Sequence, residues 1–370
     1  MEEIKSETSL FEDIKIFKDL ERDIIETKKC CACGGCVAFC HSQGFDVIKM
    51  EGYTPKFISE ENEDNCKECG ICYYICPNTT PLMDQLNEMY NAENELGHII
   101  TVIAAKTTDE IIREFGQDGG IVSTFLTYLF EKDEIDGAIV SEYDENLNPL
   151  PKIIFDKKDL IKSSGTRYSI SPNILSLKDL NIISQDILEK KNIENIDDLR
   201  LAFVGTPCQC RAVRKMQYIN ITPAYSIKFV IGLFCFENFD YAKIYKIIQD
   251  ETNVKPSDIL KTNIKKNFFI TSKKEEVFEI NIKTLDPAVR SHCQECDEFT
   301  AKFSDISVGA SGAPEGHSII VVRTAKGQRI INSLTTERII EKYHIPIEQI
   351  TEWKTKKINW FNKMTSRKTK

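Results

Sequence analysis

Signals for membrane insertion and secretion are missing from this sequence. No window approaches the ~20 apolar residues needed to cross a bilayer. The N-terminus, MEEIKSETSLFEDIK, has no apolar stretch typical of a signal peptide. The formal net charge of −9 argues against a general nucleic-acid-binding protein. We therefore expect no nucleic-acid partner, no transmembrane segment, and membrane association only through a partner protein.

The usual fingerprints of nucleotide binding and of hydrolysis are also absent. No G-x-G-x-x-G motif follows a predicted strand and there is no P-loop, so a Rossmann dinucleotide fold is not expected. Glycine-containing turns at residues 117–120, 205–207 and 309–312 offer backbone N–H groups to phosphate or flavin atoms, although each is a weak signal. The five histidines, including His292 and His317, form no triad or metal pattern and are interpreted as structural. No catalytic side chain is predicted.

Cysteine, in contrast, is abundant, with fourteen residues in a chain of 370. Two N-terminal runs share the spacing C-x-x-C-x-x-C-x-x-x-C, which is typical of proteins with two [4Fe–4S] clusters that exchange their fourth ligand. The spacing assigns one cluster to Cys30, Cys33, Cys36 and Cys76, and the other to Cys66, Cys69, Cys72 and Cys40.

Structural zinc is the alternative for these runs. Zinc sites usually place two C-x-x-C pairs well apart, whereas here each run supplies four closely spaced thiols, which favours iron and sulfide. Cys31 lies off the pattern and is interpreted as a spare thiol beside the ligand loop. Thiolate clusters need a reducing compartment, so we expect a cytoplasmic protein.

Five cysteines lie beyond the two runs, and four of them predict a third [4Fe–4S] cluster. Cys208 and Cys235 follow predicted strands, and the ends of neighbouring parallel strands meet at one edge of a sheet. Cys293 and Cys296 form a metal-ligand pair that needs two further thiolates. We prefer Cys208 to Cys210 because it sits in the turn after its strand, and the choice between them stays open.

The pattern of elements predicts a mixed α+β and α/β architecture with four segments. These are a charged helical lead-in (1–28), a ferredoxin-like two-cluster module (29–90), a larger domain with a mixed sheet (98–345) and a basic C-terminal tail (346–370). Strands are predicted near residues 99–107, 136–140, 201–204 and 228–234, and helices at 211–216 and 334–343. Residues 354–370 carry seven Lys or Arg and no acid, which indicates a solvated end or, alternatively, a docking tail.

Beyond the two cysteine runs, five further segments carry a family resemblance. They are GQDGGIVSTFLTYLFEKDEIDGAIV (116–140), SSGTRYSISPN (163–173), FVGTPCQCRAVRK (203–215), IGLFCFENFDY (231–241) and HCQECDEFTAKFSDISVGASGAPEGHSIIVVRTAKG (292–327). Through them the sequence resembles the β subunits of coenzyme F420 hydrogenases and dehydrogenases, and in particular the double-ferredoxin electron-input subunit of F420 dehydrogenase. The resemblance implies that residues 98–345 hold FAD and one [4Fe–4S] cluster.

It further implies an oxidoreductase that transfers a hydride between coenzyme F420 and FAD. Single electrons would pass through three [4Fe–4S] clusters to or from ferredoxin or a larger redox complex. A ferredoxin-driven flavin-dependent reductase of another organic substrate is the alternative, and a flavin-free wiring subunit is a third. The cofactor-binding residues expected are Gly119, Gly120, Ser123, Thr166, Arg167, Tyr168, Ser171, Asn173, Gly205, Thr206 and Ser311. The cations expected to meet the anionic F420 tail are Arg167, Arg211, Arg214, Lys302 and Arg323.

Overall fold

The computed structural model describes residues 14–368, which form helices around three β-sheets. The strands are β1 Ile48–Glu51, β2 Thr54–Phe57, β3 Thr101–Thr107, β4 Gly137–Tyr143, β5 Pro149–Ile154, β6 Leu201–Gly205, β7 Ile227–Leu233, β8 Ile259–Ile264, β9 Phe268–Ser272, β10 Val277–Ile280, β11 Ile306–Gly309, β12 Ser318–Val322 and β13 Ile340–Lys342.

The α-helices are α1 Phe17–Leu20, α2 Gly35–Ser42, α3 Glu60–Asp64, α4 Ile71–Tyr74, α5 Met83–Tyr90, α6 Glu110–Phe115, α7 Ile121–Glu131, α8 Leu180–Ile183, α9 Gln185–Lys191, α10 Pro207–Tyr218, α11 Tyr241–Thr252, α12 Ser291–Gln294, α13 Ala325–Thr336 and α14 Ile350–Lys368. A π-helical turn spans Glu21–Ile25, and 3-10 helices span Lys157–Ser163, Asn173–Asp179, Ile196–Asp198, Ala224–Ser226, Pro256–Asp258, Ile282–Ala288 and Ile347–Gln349.

The largest sheet has eight strands in the order β13-β3-β12-β11-β7-β6-β4-β5. Its centre is parallel, because β4 pairs with β6, β6 with β7 and β7 with β11 in that sense, while the flanking strands are antiparallel. The predicted mixed α/β architecture with a large mixed sheet is therefore confirmed. The four predicted strands correspond to β3, β4, β6 and β7.

Both faces of this sheet are buried, because alternate side chains of a strand point to opposite faces. On one face, Val204 and Ile231 join a core that includes Phe125 of α7. On the other, Phe203 and Val230 join a second core that contains residues of α10. β6 is buried along its whole length, as expected for a central parallel strand.

The N-terminal cysteine module, residues 29–90, packs against the second of these faces. Phe39 and Ile75 belong to the same core as Phe203 and Met216. The module has a hairpin of its own, β1–β2, and Phe57 at its end makes an edge-to-face contact with Phe17 of α1. The lead-in is therefore helical over α1 and the following turn, and residues 1–13 lie outside the described part of the chain.

Three sequence predictions about local structure are wrong. The helix predicted at 334–343 ends at Thr336, because Ile340 leaves the helix to pair with Thr107 as β13. Helix α10 begins at Pro207 rather than Arg211, since Thr206 and Gln209 form a capping box around that proline. Cys208 thus lies on the helix and not in the turn.

The third correction concerns the basic C-terminal segment, which is not a solvated end. Most of it forms the 19-residue helix α14, in which Phe361, Thr365 and Lys368 are buried. Phe361 packs with Phe234 at a ring-centroid distance of 5.3 Å. Charge counting missed this helix because exposed cations such as Lys356, Lys363 and Arg367 are interspersed with its buried residues. Among residues 14–368, no helix combines the length and apolar character needed to cross a membrane.

Candidate metal centres and cofactor site

The two cysteine runs of the N-terminal module share one backbone conformation. In each run the residue before the second cysteine and the glycine after it are left-handed, at Ala32 and Gly34 and again at Glu68 and Gly70. A short helix, α2 or α4, follows and carries the third cysteine. Glycine is required at the first of these helix caps, because a Cβ on Gly34 would lie 2.6 Å from Cβ of Leu175. The repeated conformation folds both runs into equivalent tight loops.

Group A consists of the thiols of Cys30, Cys33, Cys36 and Cys76. Burial, followed by the charges of Cys30, Cys72 and Cys76, raises the pKa of Cys36 well above its usual value. Cys33 lies close enough to Cys36 and Cys76 for their charges to act on it. Burial raises the pKa of Cys76 to about 12. The structure thus brings together three thiols of the first run and the last thiol of the second.

Group B consists of Cys40, Cys66, Cys69 and Cys72. Burial raises the pKa of Cys72, and the charges of the other three thiols raise it further. Cys69 is exposed, whereas Cys40 and Cys72 are buried against Val47 and Ile48 and other apolar side chains. This group therefore reaches the protein surface.

Group C consists of Cys208, Cys235, Cys293 and Cys296, which come from three separate parts of the chain. Cys208 occupies the first turn of α10, and Cys235 follows β7, where its backbone N–H donates to Phe299 O at 3.0 Å. Burial raises the pKa of Cys235, with contributions from the other three thiols. The same cause raises the pKa of Cys293 to about 12.

Cys210 points away from group C into the protein core. It is fully buried, and its thiol donates to Gly205 O at 3.6 Å. Its side chain belongs to the core that contains Phe203 and Val213. The thiol of Cys208, in contrast, lies 3.3 Å from Thr206 Oγ1 and faces the other thiols of the group.

The donor chemistry of all three groups fits iron–sulfur clusters. All fourteen cysteines are free, so none of the grouped thiols is joined in a disulfide. Burying several thiolates together is costly without a compensating cation, and this cost is what raises the pKa values described above. Metal ions remove the cost by binding the deprotonated thiols. Four soft sulfur donors per group suit a [4Fe–4S] cluster.

Groups A and C meet at Cys31. The thiols of Cys31 and Cys208 and one ring nitrogen of His292 all lie within 4.8 Å of one another. Cys31 is the neighbour in sequence of Cys30, and Arg290 Nη2 donates to Cys30 O at 3.2 Å. Burial, followed by nearby cations, lowers the pKa of His292 to about 4, so its imidazole is neutral at pH 7. The spare thiol of the sequence analysis therefore occupies the boundary between two thiol groups.

The predicted cofactor residues lie along one edge of the large sheet. The carboxyl ends of β4, β6, β7 and β11 point the same way, and that of β3 joins them, because two antiparallel pairings separate it from β11. Ligands of open α/β sheets bind at this edge. Gly119 lies beside the end of β3, where Thr107 N donates to Gly119 O at 2.7 Å.

Near the start of α7, these residues form one hydrogen-bonded unit around Gln117. Its amide oxygen accepts from Thr166 N at 3.2 Å, and its amide nitrogen donates to Tyr168 Oη at 3.3 Å. Ser123 Oγ lies 3.3 Å from Ser164 Oγ, and Gly120 is the left-handed cap of the helix. Gln117 itself was not among the predicted site residues, although its segment was.

A second unit surrounds the end of β6. Ser171 Oγ donates to Asn173 Oδ1 at 2.6 Å, and Asn173 Nδ2 donates to Val204 O at 2.8 Å. Thr206 N donates to Gln209 Oε1 at 3.1 Å, directly after Gly205. Ser311 stands apart, at the end of β11, and its Oγ accepts from Trp360 Nε1 at 3.1 Å.

Comparisons with known proteins match most of this region. Two family models for the beta subunits of coenzyme F420 hydrogenase/dehydrogenase align with the chain, one for their N-terminal part over residues 102–178 and one for their C-terminal part over residues 198–352. The beta subunit of coenzyme F420 hydrogenase from Methanococcus voltae is 33% identical over 252 residues, or 67% of this chain and 86% of that protein. This chain belongs to the family of coenzyme F420 hydrogenase/dehydrogenase beta subunits.

One further relative and one solved structure extend the match. A subunit of the F(420)H(2) dehydrogenase from Methanosarcina mazei is 31% identical over 322 residues, covering 85% of each chain. A chain of the F420-reducing [NiFe] hydrogenase complex from Methanosarcina barkeri superimposes with a TM-score of 0.64 at 28% identity, covering 75% of this chain and 91% of that one. The family resemblance inferred from the sequence is thus confirmed.

Two buried polar atoms beside group C test whether this family member fits a flavin. Ser169 Oγ and Asn238 Oδ1 have no hydrogen-bond partner among the described residues. They lie on adjacent backbone segments, since Ser169 forms a bridge with Phe239. An unsatisfied buried polar atom costs about 1–3 kcal/mol, which a bound polar ring would relieve. The edge therefore fits a heteroatom-rich cofactor, and sequence motifs alone did not single out either residue.

The cations expected to meet an anionic tail are engaged inside the protein. Arg211 pairs with Glu298 at 2.8 Å, and Arg214 pairs with Asp305 at 3.0 Å. The guanidinium groups of Arg167 and Arg323 donate to backbone carbonyls, and Lys302 Nζ does so to Ala92 O at 2.8 Å. These contacts do not favour the five side chains as ligands of a mobile substrate.

Proposed function

We propose that this chain transfers a hydride between coenzyme F420 and FAD and exchanges single electrons with ferredoxin or a larger redox complex. The observation that carries the proposal is the arrangement of three four-thiol groups, of which group C lies beside the predicted flavin edge and approaches the loop of group A at Cys31. FAD, when bound, supplies the conversion between a two-electron hydride and single electrons. The relatives named as parts of hydrogenases and dehydrogenases support a multisubunit partner.

The chain's own residues would set the order of the carriers. The thiols of group C would hold the cluster nearest the flavin, since Cys235 and Cys208 lie at the strand ends that form the edge. Group A would come next, because Cys31 links its loop to Cys208. Group B would exchange electrons with the partner, because Cys69 is exposed. Gln117, Ser169 and Asn238 would orient the flavin ring.

The anionic tail of coenzyme F420 needs cations, and the three-stranded sheet β10-β9-β8 provides two, Lys261 on β8 and Lys265 in the turn that follows it. A cavity of about 240 Å³ is lined by Lys261, Thr262, Asn263, Lys265, Phe269, Thr271 and Val277. Lys261 and Lys265 are exposed and form no ion pair among residues 14–368. Asn263 accepts from Gln117 Nε2 at 2.9 Å, which ties the cavity to the flavin unit. Burial raises the pKa of Asp118 nearby, while the charges of Lys261 and Lys265 act to lower it.

Charge removal tests this placement of the tail. Each lysine-to-anion contact is worth about 1 kcal/mol at 4 Å in water, so the double variant Lys261→Gln/Lys265→Gln should raise KM for F420 by roughly ten- to thirtyfold with little change in kcat. Lys266→Gln is the matched control, because Lys266 is an exposed neighbour in sequence that does not line the cavity. An unchanged KM in the double variant would show that the F420 tail does not bind in this cavity.

The decisive test of the function is anaerobic oxidation of reduced coenzyme F420 by the purified, FAD-replete protein with a viologen or ferredoxin as acceptor. We expect rapid turnover that depends on both flavin and iron. Failure to turn over, with flavin and all clusters present, would favour a ferredoxin-driven reductase of another organic substrate. Iron and sulfide without any flavin would instead indicate a wiring subunit.

A further inference from the structure

A buried lysine from the C-terminal helix touches group C. Lys368 is only 6% exposed, and its ammonium group donates to Cys296 Sγ at 3.3 Å. Two further bonds, to Cys235 O at 2.9 Å and Glu298 O at 2.6 Å, fix the position of the nitrogen. No carboxylate lies within ion-pair distance of this ammonium group among the described residues. The charges that act on this ammonium group include those of the Cys235, Cys296 and Cys293 thiols.

Helix α14 is held in the register that delivers this lysine. Phe361, Thr365 and Lys368 are buried and lie at i, i+4 and i+7, which places them on one helix face. Trp360 Nε1 anchors the same helix to Ser311, and Lys357 Nζ donates to Gly312 O. The helix thus covers the ends of β7 and β11 and places the ammonium group of Lys368 in the interior beside group C.

A second buried lysine shows what is distinctive about this contact. Lys215 lies beside group A, but its ammonium donates at 2.7 Å to the carbonyl oxygens of Cys76 and Thr79 and to no sulfur. Among the described residues, Lys368 is thus the buried lysine that donates a hydrogen bond to a thiol of group A, B or C. Hydrogen bonds to the sulfurs and the net charge nearby set the potential of an iron–sulfur cluster.

We propose that Lys368 is a positioning residue that raises the reduction potential of the cluster held by group C. Reduction adds one negative charge to that cluster, and a fixed cation bonded to Cys296 favours the more negative state. The inference rests on the proposed function, because it requires a cluster at group C. It adds to that function a reason for the C-terminal helix: electrons leaving the flavin would meet an acceptor made more oxidising by a residue far away in sequence.

The test is an anaerobic redox titration of the holoprotein, followed by EPR, for the wild type and Lys368→Met. We expect the reduced-to-oxidised ratio of the group C cluster at a fixed potential to fall about tenfold, which equals about 59 mV for one electron. The clusters of groups A and B should keep their potentials. Arg367→Met is the matched control, since Arg367 is the adjacent residue on the same helix and is exposed. In Lys368→Arg, which retains the charge, the reduction potential of the group C cluster should stay close to that of the wild type.

Iron and sulfide analysis distinguishes a failure of the proposed function from a failure of the role proposed for Lys368. A wild-type protein with about eight irons would refute the cluster at group C and with it the proposed function. A wild type with about twelve irons, and a Lys368→Met protein that keeps them with an unchanged potential, would overturn only the role of Lys368. If Lys368→Met loses the cluster, Lys368→Gln, which keeps an N–H donor without the charge, is titrated instead. Loss of the cluster from that variant too would overturn the proposal in favour of a structural role.

Discussion

Replacing Cys208 with alanine should remove one cluster and leave two. Four irons per cluster and three groups of thiols give about twelve irons per chain, which should fall to about eight in Cys208→Ala. Cys210 cannot take over the ligand position, because residues two apart on an α-helix project in directions about 200° apart. In this structure Cys210 is fully buried and donates to Gly205 O on the core side of α10.

The measurement is iron and sulfide content of anaerobically purified protein, combined with EPR of the reduced and oxidised forms. Cys210→Ala is the matched control: it should keep about twelve irons and lose only about 1–2 kcal/mol of stability from the small cavity left in the core. A three-iron remnant in oxidised Cys208→Ala would also assign Cys208 as a ligand. Full iron content in Cys208→Ala together with iron loss in Cys210→Ala would refute the reasoning.

Two further predictions concern stability. Phe361→Ala should cost about 3–5 kcal/mol, since the ring is fully buried against Phe234, and thermal unfolding should show no comparable loss for Ile347→Ala, a side chain that is 87% exposed. Asp305→Asn should lower the free energy of unfolding by about 3–5 kcal/mol at pH 7, because it leaves the buried Arg214 without its counter-charge. Asp297→Asn, which changes an exposed carboxylate, is the control. Arg214 and Lys326 outweigh burial and lower the pKa of Asp305, so its stabilisation is present above the unfolded carboxyl pKa of about 3.9 and is lost only as the pH falls through the lower folded value. Chemical denaturation at several pH values checks this, and a loss already at pH 6 would contradict it.

The sequence predicted best what local spacing determines. The cysteine runs predicted two loops of equal geometry, because residues three apart on a tight loop must face one point, and the structure shows those loops. The buried strands were found for a related reason, since a central parallel strand is a continuous apolar run. Group C, whose members lie as far apart as Cys208 and Cys296, could be predicted because the ends of neighbouring parallel strands meet at one edge of a sheet.

Tertiary context decided the rest. Arg211 and Arg214 look like anion-binding residues in sequence, but carboxylates from 80 or more residues away neutralise them, as the pair of Arg214 with Asp305 shows. The residues around Ile340 in the sequence favour a helix, but its pairing with Thr107 makes it part of a strand. The exposed lysines of α14 hid the apolar face that Phe361 buries. In each case the deciding contact is a long-range one that spacing does not encode.

Helix α10 connects the two cysteine-bearing regions. Its first turn carries Cys208 of group C, and seven residues later Lys215 Nζ bonds to Cys76 O of group A at 2.7 Å. Seven residues of α-helix rise about 10.5 Å, so the helix holds the two groups at a fixed separation. Arg211, midway between them, donates to Pro77 O on one side and to Glu298 on the other. A hinge between the regions would have to break these buried bonds, so we expect electrons to cross between groups C and A over a constant distance and any motion that gates transfer to lie beyond group B.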